Sequence, residues 1–290
     1  MAMVISVILI AGCTQPQTGV STPLPTTAIP TSVQTTAVQP SDTIKLVNSQ
    51  LGKILVDAND MTLYYFATDI PGSGNSTCNS AGCLAIWPVF KADTIRVSAP
   101  LSPSDFSTIT RVDGKQQTTY KGYPLHYYQN DTKPGDTNGE GILKVWFVVK
   151  PDTTVMIAQQ KSLGSFLTDS TGKTLYYFTK DTPASSACNG TCSTIWPPFN
   201  ATQLSIPTLI NNTDFTSITR YDGMKQLAYM GRPLYTYSLD TNQGDTKGQG
   251  FNNLWYVANI SGAVPVAATP TATTKTPTTV PVSSSSGGGY

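Results

Sequence analysis

Residues 62–69 read TLYYFATD and residues 174–181 read TLYYFTKD. Both are aromatic runs, apolar on both faces, that stop at an aspartate, which is the composition of a buried strand. Their pattern, Tyr-x-Phe/Tyr-x-x-Asp, occurs as Tyr64, Phe66 and Asp69, as Tyr176, Phe178 and Asp181, and as Tyr235, Tyr237 and Asp240. A variant copy has His126, Tyr128 and Asp131. A tryptophan follows each copy: Trp87, Trp196, Trp255 and Trp146 stand 23, 20, 20 and 20 residues after the first motif position. The chain has four tryptophans, so each belongs to one copy, and four related units build the protein.

Above the quarters lies a half repeat. LGKILVDANDMTLYYFATD from Leu51 matches LGSFLTDSTGKTLYYFTKD from Leu163. ITRVDGKQQTTYKGYPLHYY from Ile109 then matches ITRYDGMKQLAYMGRPLYTY from Ile218, and GDTNGEG at Gly135 matches GDTKGQG at Gly244. Residues 44–152 and 153–262 are therefore expected to be two homologous β-repeat domains, each of a size that can bury a core. Arg111-Val112-Asp113-Gly114 and Arg220-Tyr221-Asp222-Gly223 carry the Asp-Gly pair favoured in hairpins, with further turns at Lys121-Gly122 and Gly231-Arg232. No stretch between them shows a sustained period of 3.6, so the expected class is all-β. Each half should hold two related antiparallel meanders, packed as barrels, sandwiches or blades.

The flanks read differently. MAMVISVILIAGC ends an apolar run with small residues before Cys13, the pattern of a lipoprotein signal peptide over residues 1–12 with a lipid on Cys13. The run is shorter than the roughly 20 apolar residues a membrane span needs. Residues 13–43 and 263–290 are Thr/Pro/Ser-rich and almost uncharged, a stalk and a tail expected to be disordered because they cannot bury enough apolar surface. Removing Cys13 leaves Cys78, Cys83, Cys188 and Cys192, paired at matching places in the halves, which points to two small disulfide rings in an oxidising exterior. The alternative, one zinc held by all four thiolates, would join ligand pairs far apart in the chain.

Lys and Arg number 18 against 17 acidic residues, with no basic stripe, so nucleic acid is not an expected partner. Six Asn-x-Ser/Thr sequons, at Asn75, Asn130, Asn189, Asn200, Asn211 and Asn259, permit glycosylation where a cell has the machinery.

The four motif copies, the Cys-x3/4-Cys loop leading to Trp-Pro and the lipobox together resemble the secreted-repeat lipoproteins defined by the Yx(FWY)xxD motif. The shared features cover roughly residues 50–260. The resemblance implies a bacterial or archaeal envelope location and a repeat of unknown role, and His126 departs from it where the motif's first tyrosine should stand.

Read physically, Tyr64 and Phe66 lie on one strand face, where they can pack beside a tryptophan of the following strand, and Asp69 can accept backbone N–H bonds at the strand end. Asp131, Asp136, Asn138 and Glu140 place four oxygen-bearing side chains in a Gly-rich loop, the pattern of a calcium loop as well as of paired Asx turns. The matching loop has Asp240, Asp245, Lys247 and Gln249. Calcium is thus the one cofactor the sequence suggests. A single histidine and no G-x-S-x-G give no recognisable catalytic constellation, and Asp57, Asp113, Asp169 and Asp222 recur between halves as turn residues would. The expected function is a lipid-anchored extracellular binding or cell-envelope structural module, not an enzyme. Its partners would be the membrane, through the lipid on Cys13, and a glycan or another envelope protein. The alternatives are a calcium-dependent adhesin or glycan binder, and an envelope redox accessory or hydrolase using His126 or the aromatics.

Overall fold

The structure is a computed structural model and describes residues 41–262. The expectations for the signal peptide, for Cys13 and most of the stalk, and for the 263–290 tail lie outside the described residues.

Short strands in small antiparallel sheets make up the fold, as the sequence pattern requires. In the first half β1 (Ile44–Ser49) pairs with β2 (Gly52–Asp57), and β4 (Phe106–Thr110), β5 (Gln116–Tyr120) and β6 (Tyr123–Pro124) form a three-stranded sheet. The motif strand β3 (Tyr64–Phe66) pairs with β7 (Trp146–Val148), with Phe66 opposite Trp146. The second half repeats this. There β8 (Val155–Gln160) pairs with β9 (Gly164–Asp169), and β11 (Phe215–Thr219), β12 (Lys225–Tyr229) and β13 (Arg232–Pro233) form a sheet. The motif strand β10 (Tyr176–Phe178) pairs with β14 (Trp255–Val257).

The quarters are not self-contained meanders. Each motif strand takes its partner from the other quarter of its half, because its hydrogen-bonding edges are filled by β7 or β14 on one side and by the other motif's first residue on the other. Tyr64 and His126 exchange both backbone hydrogen bonds, at 2.8 and 3.0 Å, as do Tyr176 and Tyr235, at 2.8 and 2.9 Å. The β5–β6 and β12–β13 turns have two central residues with positive φ (Lys121 and Gly122; Met230 and Gly231), the two-residue geometry that matches strand twist.

Two short helices, α1 (Ala81–Ile86) and α2 (Thr191–Ile195), end at Trp87 and Trp196. They are too short to show a helical period, which is why the pattern gave only turns there. Each carries one cysteine of a disulfide to the turn before it, Cys78–Cys83 and Cys188–Cys192, as the cysteine spacing suggests.

One core cluster draws residues from both halves. Ile44, Leu55, Tyr64 and Trp146 of the first half belong to it together with Val155, Ile157, Leu175 and Leu234 of the second, all nearly inaccessible to solvent. β8 is buried where the equivalent β1 is half-exposed, because β8 packs on the first half. There Gln159 N donates to Ala67 O at 2.7 Å, Lys150 Nζ to Ile206 O at 2.6 Å, and Thr208 Oγ1 to Glu140 Oε1 at 2.7 Å.

Candidate functional site

The motif residues of each half meet in one cluster, to which both quarters contribute equivalent rings. In the first half Trp87 stacks on Trp146 at 3.9 Å between centroids, and Phe66 stacks on the other face of Trp146 at 4.1 Å. Tyr128 lies on Trp87 at 4.5 Å, while Tyr64 and His126 stand edge-on to Trp87 and Trp146. The second half reproduces the cluster with Trp196, Trp255, Phe178, Tyr237, Tyr176 and Tyr235. The second aromatic of each motif thus stacks on the tryptophan of the other quarter, and only Trp146 and Trp255 come from strands.

The aspartates close the exchange. Tyr64 Oη donates to Asp131 Oδ2 at 2.6 Å, Tyr176 Oη to Asp240 Oδ2 at 2.6 Å, and Tyr235 Oη to Asp181 Oδ2 at 2.8 Å. Each of these carboxylates also accepts a backbone N–H a few residues downstream, from Asn138, Lys247 and Ala187 respectively. Burial raises all three carboxyls above their usual range, and burial together with the neighbouring carboxylate pushes the three phenols up.

The fourth corner is different. His126 is fully buried; its Nδ1 lies 3.1 Å from Trp87 O, and Gln117 Nε2 lies 2.9 Å from its Nε2. Those partners fix the tautomer: Nδ1 donates to the carbonyl and Nε2 accepts from the amide. The imidazole stops short of Asp69: Ser76 Oγ gives its proton to Asp69 Oδ2 at 3.0 Å, and its 3.5 Å approach to the unprotonated Nε2 is a contact that carries no proton. Asp69 also accepts from Thr77 N and Oγ1, and burial raises it to about 6. Burial lowers His126 to about 3, so it is neutral across the ordinary pH range. The order is imidazole, hydroxyl, carboxylate, whereas a serine hydrolase needs the imidazole between the other two.

A buried polar network beneath the cluster was not read from the sequence. Arg111 donates to Gln117 Oε1 and to the Cys78 carbonyl, and Arg220 donates to Gln226 Oε1, Ser186 Oγ and the Cys188 carbonyl. Both guanidiniums are buried and tie the disulfide loops to the sheets. The repeated Arg and Gln in ITRVDGKQQ and ITRYDGMKQ were the available signal. They sit beside Asp-Gly turns, which suggests exposure.

The candidate calcium residues bind protein groups. Asp136 Oδ2 accepts Thr132 N and Lys133 N, Asp131 is held by Tyr64 and Asn138 N, and Glu140 Oε2 accepts Val148 N at 2.7 Å. Asn138 directs its side-chain amide to Asn130 O. In the other loop Gln249 Oε1 accepts Val257 N just as Glu140 accepts Val148 N, so a neutral amide replaces the carboxylate without loss of the bond. Lys247 replaces Asn138 where only the backbone N–H is shared. Among the described residues no group of three or more His, Cys, Asp or Glu side chains could hold a metal ion.

Gly139 and Gly248 let these loops close over the rings. A Cβ at Gly139 would stand 2.8 Å from the Tyr64 ring, and one at Gly248 2.7 Å from Trp196. Asp57, Asp113, Asp169 and Asp222 each accept backbone N–H groups within their own turns. Among the described residues no helix is long and apolar enough to cross a membrane.

A family model described as a secreted repeat of unknown function matches residues 45–91, 107–150, 158–200 and 216–259, one match for each quarter. No curated protein and no solved structure matches the chain.

Proposed function

The chain belongs to the family of secreted repeats of unknown function, and from that premise we propose a lipid-anchored extracellular protein that acts as a binding or cell-envelope structural module rather than as an enzyme. One observation carries the reading: Tyr64, Tyr176 and Tyr235 are bonded to the motif aspartates, and Asp69 and His126 to neighbouring side chains and backbone, so these buried groups are occupied with holding the cluster together. Such a motif maintains a rigid body. Variable turns and the half-exposed rim are then left to meet a glycan or an envelope protein. The lipobox at Cys13 supplies the anchor and the Thr/Pro-rich stalk supplies reach.

The calcium-dependent reading requires Asp131, Asp136 and Glu140 to abandon backbone donors for one cation and Asn138 to join them, and the interchange of Glu140 with Gln249 weighs against it.

Expression in a lipoprotein-processing bacterium tests the anchor. The wild-type chain should partition with membranes and incorporate a fatty-acid label, and Cys13→Ser should move it to the soluble fraction. A Cys13→Ser chain that remained membrane-bound and unlabelled like an unlabelled wild type would remove the lipid from the account. Unfolding in calcium and in EDTA addresses the cation; equal midpoints are expected, whereas calcium at about 100 times its Kd would add roughly 2.7 kcal/mol.

A further inference from the structure

Each half holds four aromatic rings in a single file. Tyr128, Trp87, Trp146 and Phe66 follow one another at 4.5, 3.9 and 4.1 Å, with interplanar angles of 30°, 6° and 7°. Tyr237, Trp196, Trp255 and Phe178 follow at 4.1, 3.9 and 4.3 Å, with angles of 20°, 2° and 13°. Ring quadrupoles favour offset or edge-to-face pairs with centroids about 4.5–7 Å apart. The tryptophan pairs are closer and flatter than that, and both halves keep this geometry although their loops have diverged. Near-parallel rings at this separation overlap their π systems along the file.

Beside each file stands a phenol with a proton acceptor already in place. Tyr64 is edge-on to Trp87 with its hydroxyl on Asp131, Tyr176 is edge-on to Trp196 with its hydroxyl on Asp240, and Tyr235 is edge-on to Trp255 with its hydroxyl on Asp181. Tryptophan and tyrosine are the side chains that lose a single electron most readily. A phenol loses one more easily when its proton can leave along a hydrogen bond in the same event.

We propose that each file is a one-electron relay, in which an electron leaves through the stacked tryptophans and the hole comes to rest on the carboxylate-bound tyrosine beside them. The co-reactants are a one-electron oxidant, such as a peroxide-derived radical or a high-potential metal complex, and a thiol reductant. The oxidant removes one electron from the file; the Tyr64 O–H bond breaks, its proton passes to Asp131, and a neutral phenoxyl radical and a carboxylic acid result. The thiol returns one electron, releases its S–H proton to water and becomes a thiyl radical, and the phenolic oxygen recovers its own proton from Asp131. Phenylalanine, which resists oxidation, closes one end of each file. Tyr128, half-buried with its hydroxyl bonded to Asn130 at the surface, opens the other end of the first.

Flash photolysis of the full chain with a photogenerated ruthenium(III) tris-bipyridine oxidant tests this. Transient absorption should show a tryptophan radical decaying into a tyrosyl radical, with the conversion slowed in D2O. Spin trapping followed by peptide mapping should place the radical on Tyr64, Tyr176 or Tyr235. Tyr64→Phe with Tyr176→Phe and Tyr235→Phe should abolish the tyrosyl signal while the tryptophan signal persists. A radical mapped to the exposed Tyr221, or a tyrosyl signal unchanged in the triple variant, would overturn the proposal. Should the triple variant fail to fold, the D2O comparison and the mapping on wild type decide, and a conversion insensitive to D2O counts against the relay.

Discussion

A tyrosine at position 126 would reach Asp69 as Tyr235 reaches Asp181; the shorter imidazole does not, and Ser76 donates to the Asp69 carboxylate in its place. That exchange sets a pH dependence. His126 is held near 3 when folded against 6.5 ordinarily, so between these values only the unfolded chain takes up the proton. Stability therefore falls as the pH falls through that window, by up to about 5 kcal/mol. Asp69 runs the other way: at about 6 against 3.8, the folded chain binds its proton first, so acidification between these values returns up to about 3 kcal/mol. His126→Tyr removes the first effect. Its Tm should gain on the wild type as the pH drops from neutral to about 4, and parallel profiles would contradict the assignment. The motif copies and the odd histidine were legible from spacing alone. Which aspartate each tyrosine meets was not, because the partners lie more than fifty residues apart, as Tyr64 and Asp131 do.

At the scale of elements, the two cysteine turns deliver Trp87 and Trp196 to the stacks. Each ring closes only a few residues, so reduction should cost about 2 kcal/mol per bridge without unfolding the chain. Arg111 and Arg220 still hold the Cys78 and Cys188 carbonyls from the sheet side. Urea unfolding with and without reductant checks this, and collapse on reduction would mean that the buried arginines do not suffice. The loops over the stacks give a second expectation. Gly139→Ala and Gly248→Ala press a methyl group against tyrosine and tryptophan rings and should each destabilise by about 1–3 kcal/mol. Both loops were visible as repeated Gly-Asp-Thr stretches, but oxygen-rich side chains next to glycine serve a cation and a set of turns equally well. Only the donors around Asp136 and Glu140 distinguish the two uses.

At the scale of the described chain, one core cluster spans both halves, and a second, around Trp196 and Trp255, lies within the second half. Met156 of β8 lines a small cavity with Tyr65, Tyr120 and Tyr123 of the first half. Calorimetry should show one cooperative transition, and Met156→Ala should lower all of it by about 2–5 kcal/mol; two transitions, only one of them moved, would mean independent halves. The ends depart from this pattern. Lys45 stands where Met156 does and Arg232 where Tyr123 does, so the outer faces do not carry the apolar residues of the internal contact. Duplication and strand content followed from the sequence, whereas burial of β8 depends on a neighbour that no local pattern names. The central claim is that the motif joins quarter to quarter. A double-mutant cycle with Tyr176→Phe and Asp240→Ala in the full chain, read by urea unfolding, measures that link directly. The account predicts that each single change is destabilising and that the pair is coupled by about 1–3 kcal/mol. Additivity within about 0.5 kcal/mol would contradict it and return the motif to simple burial.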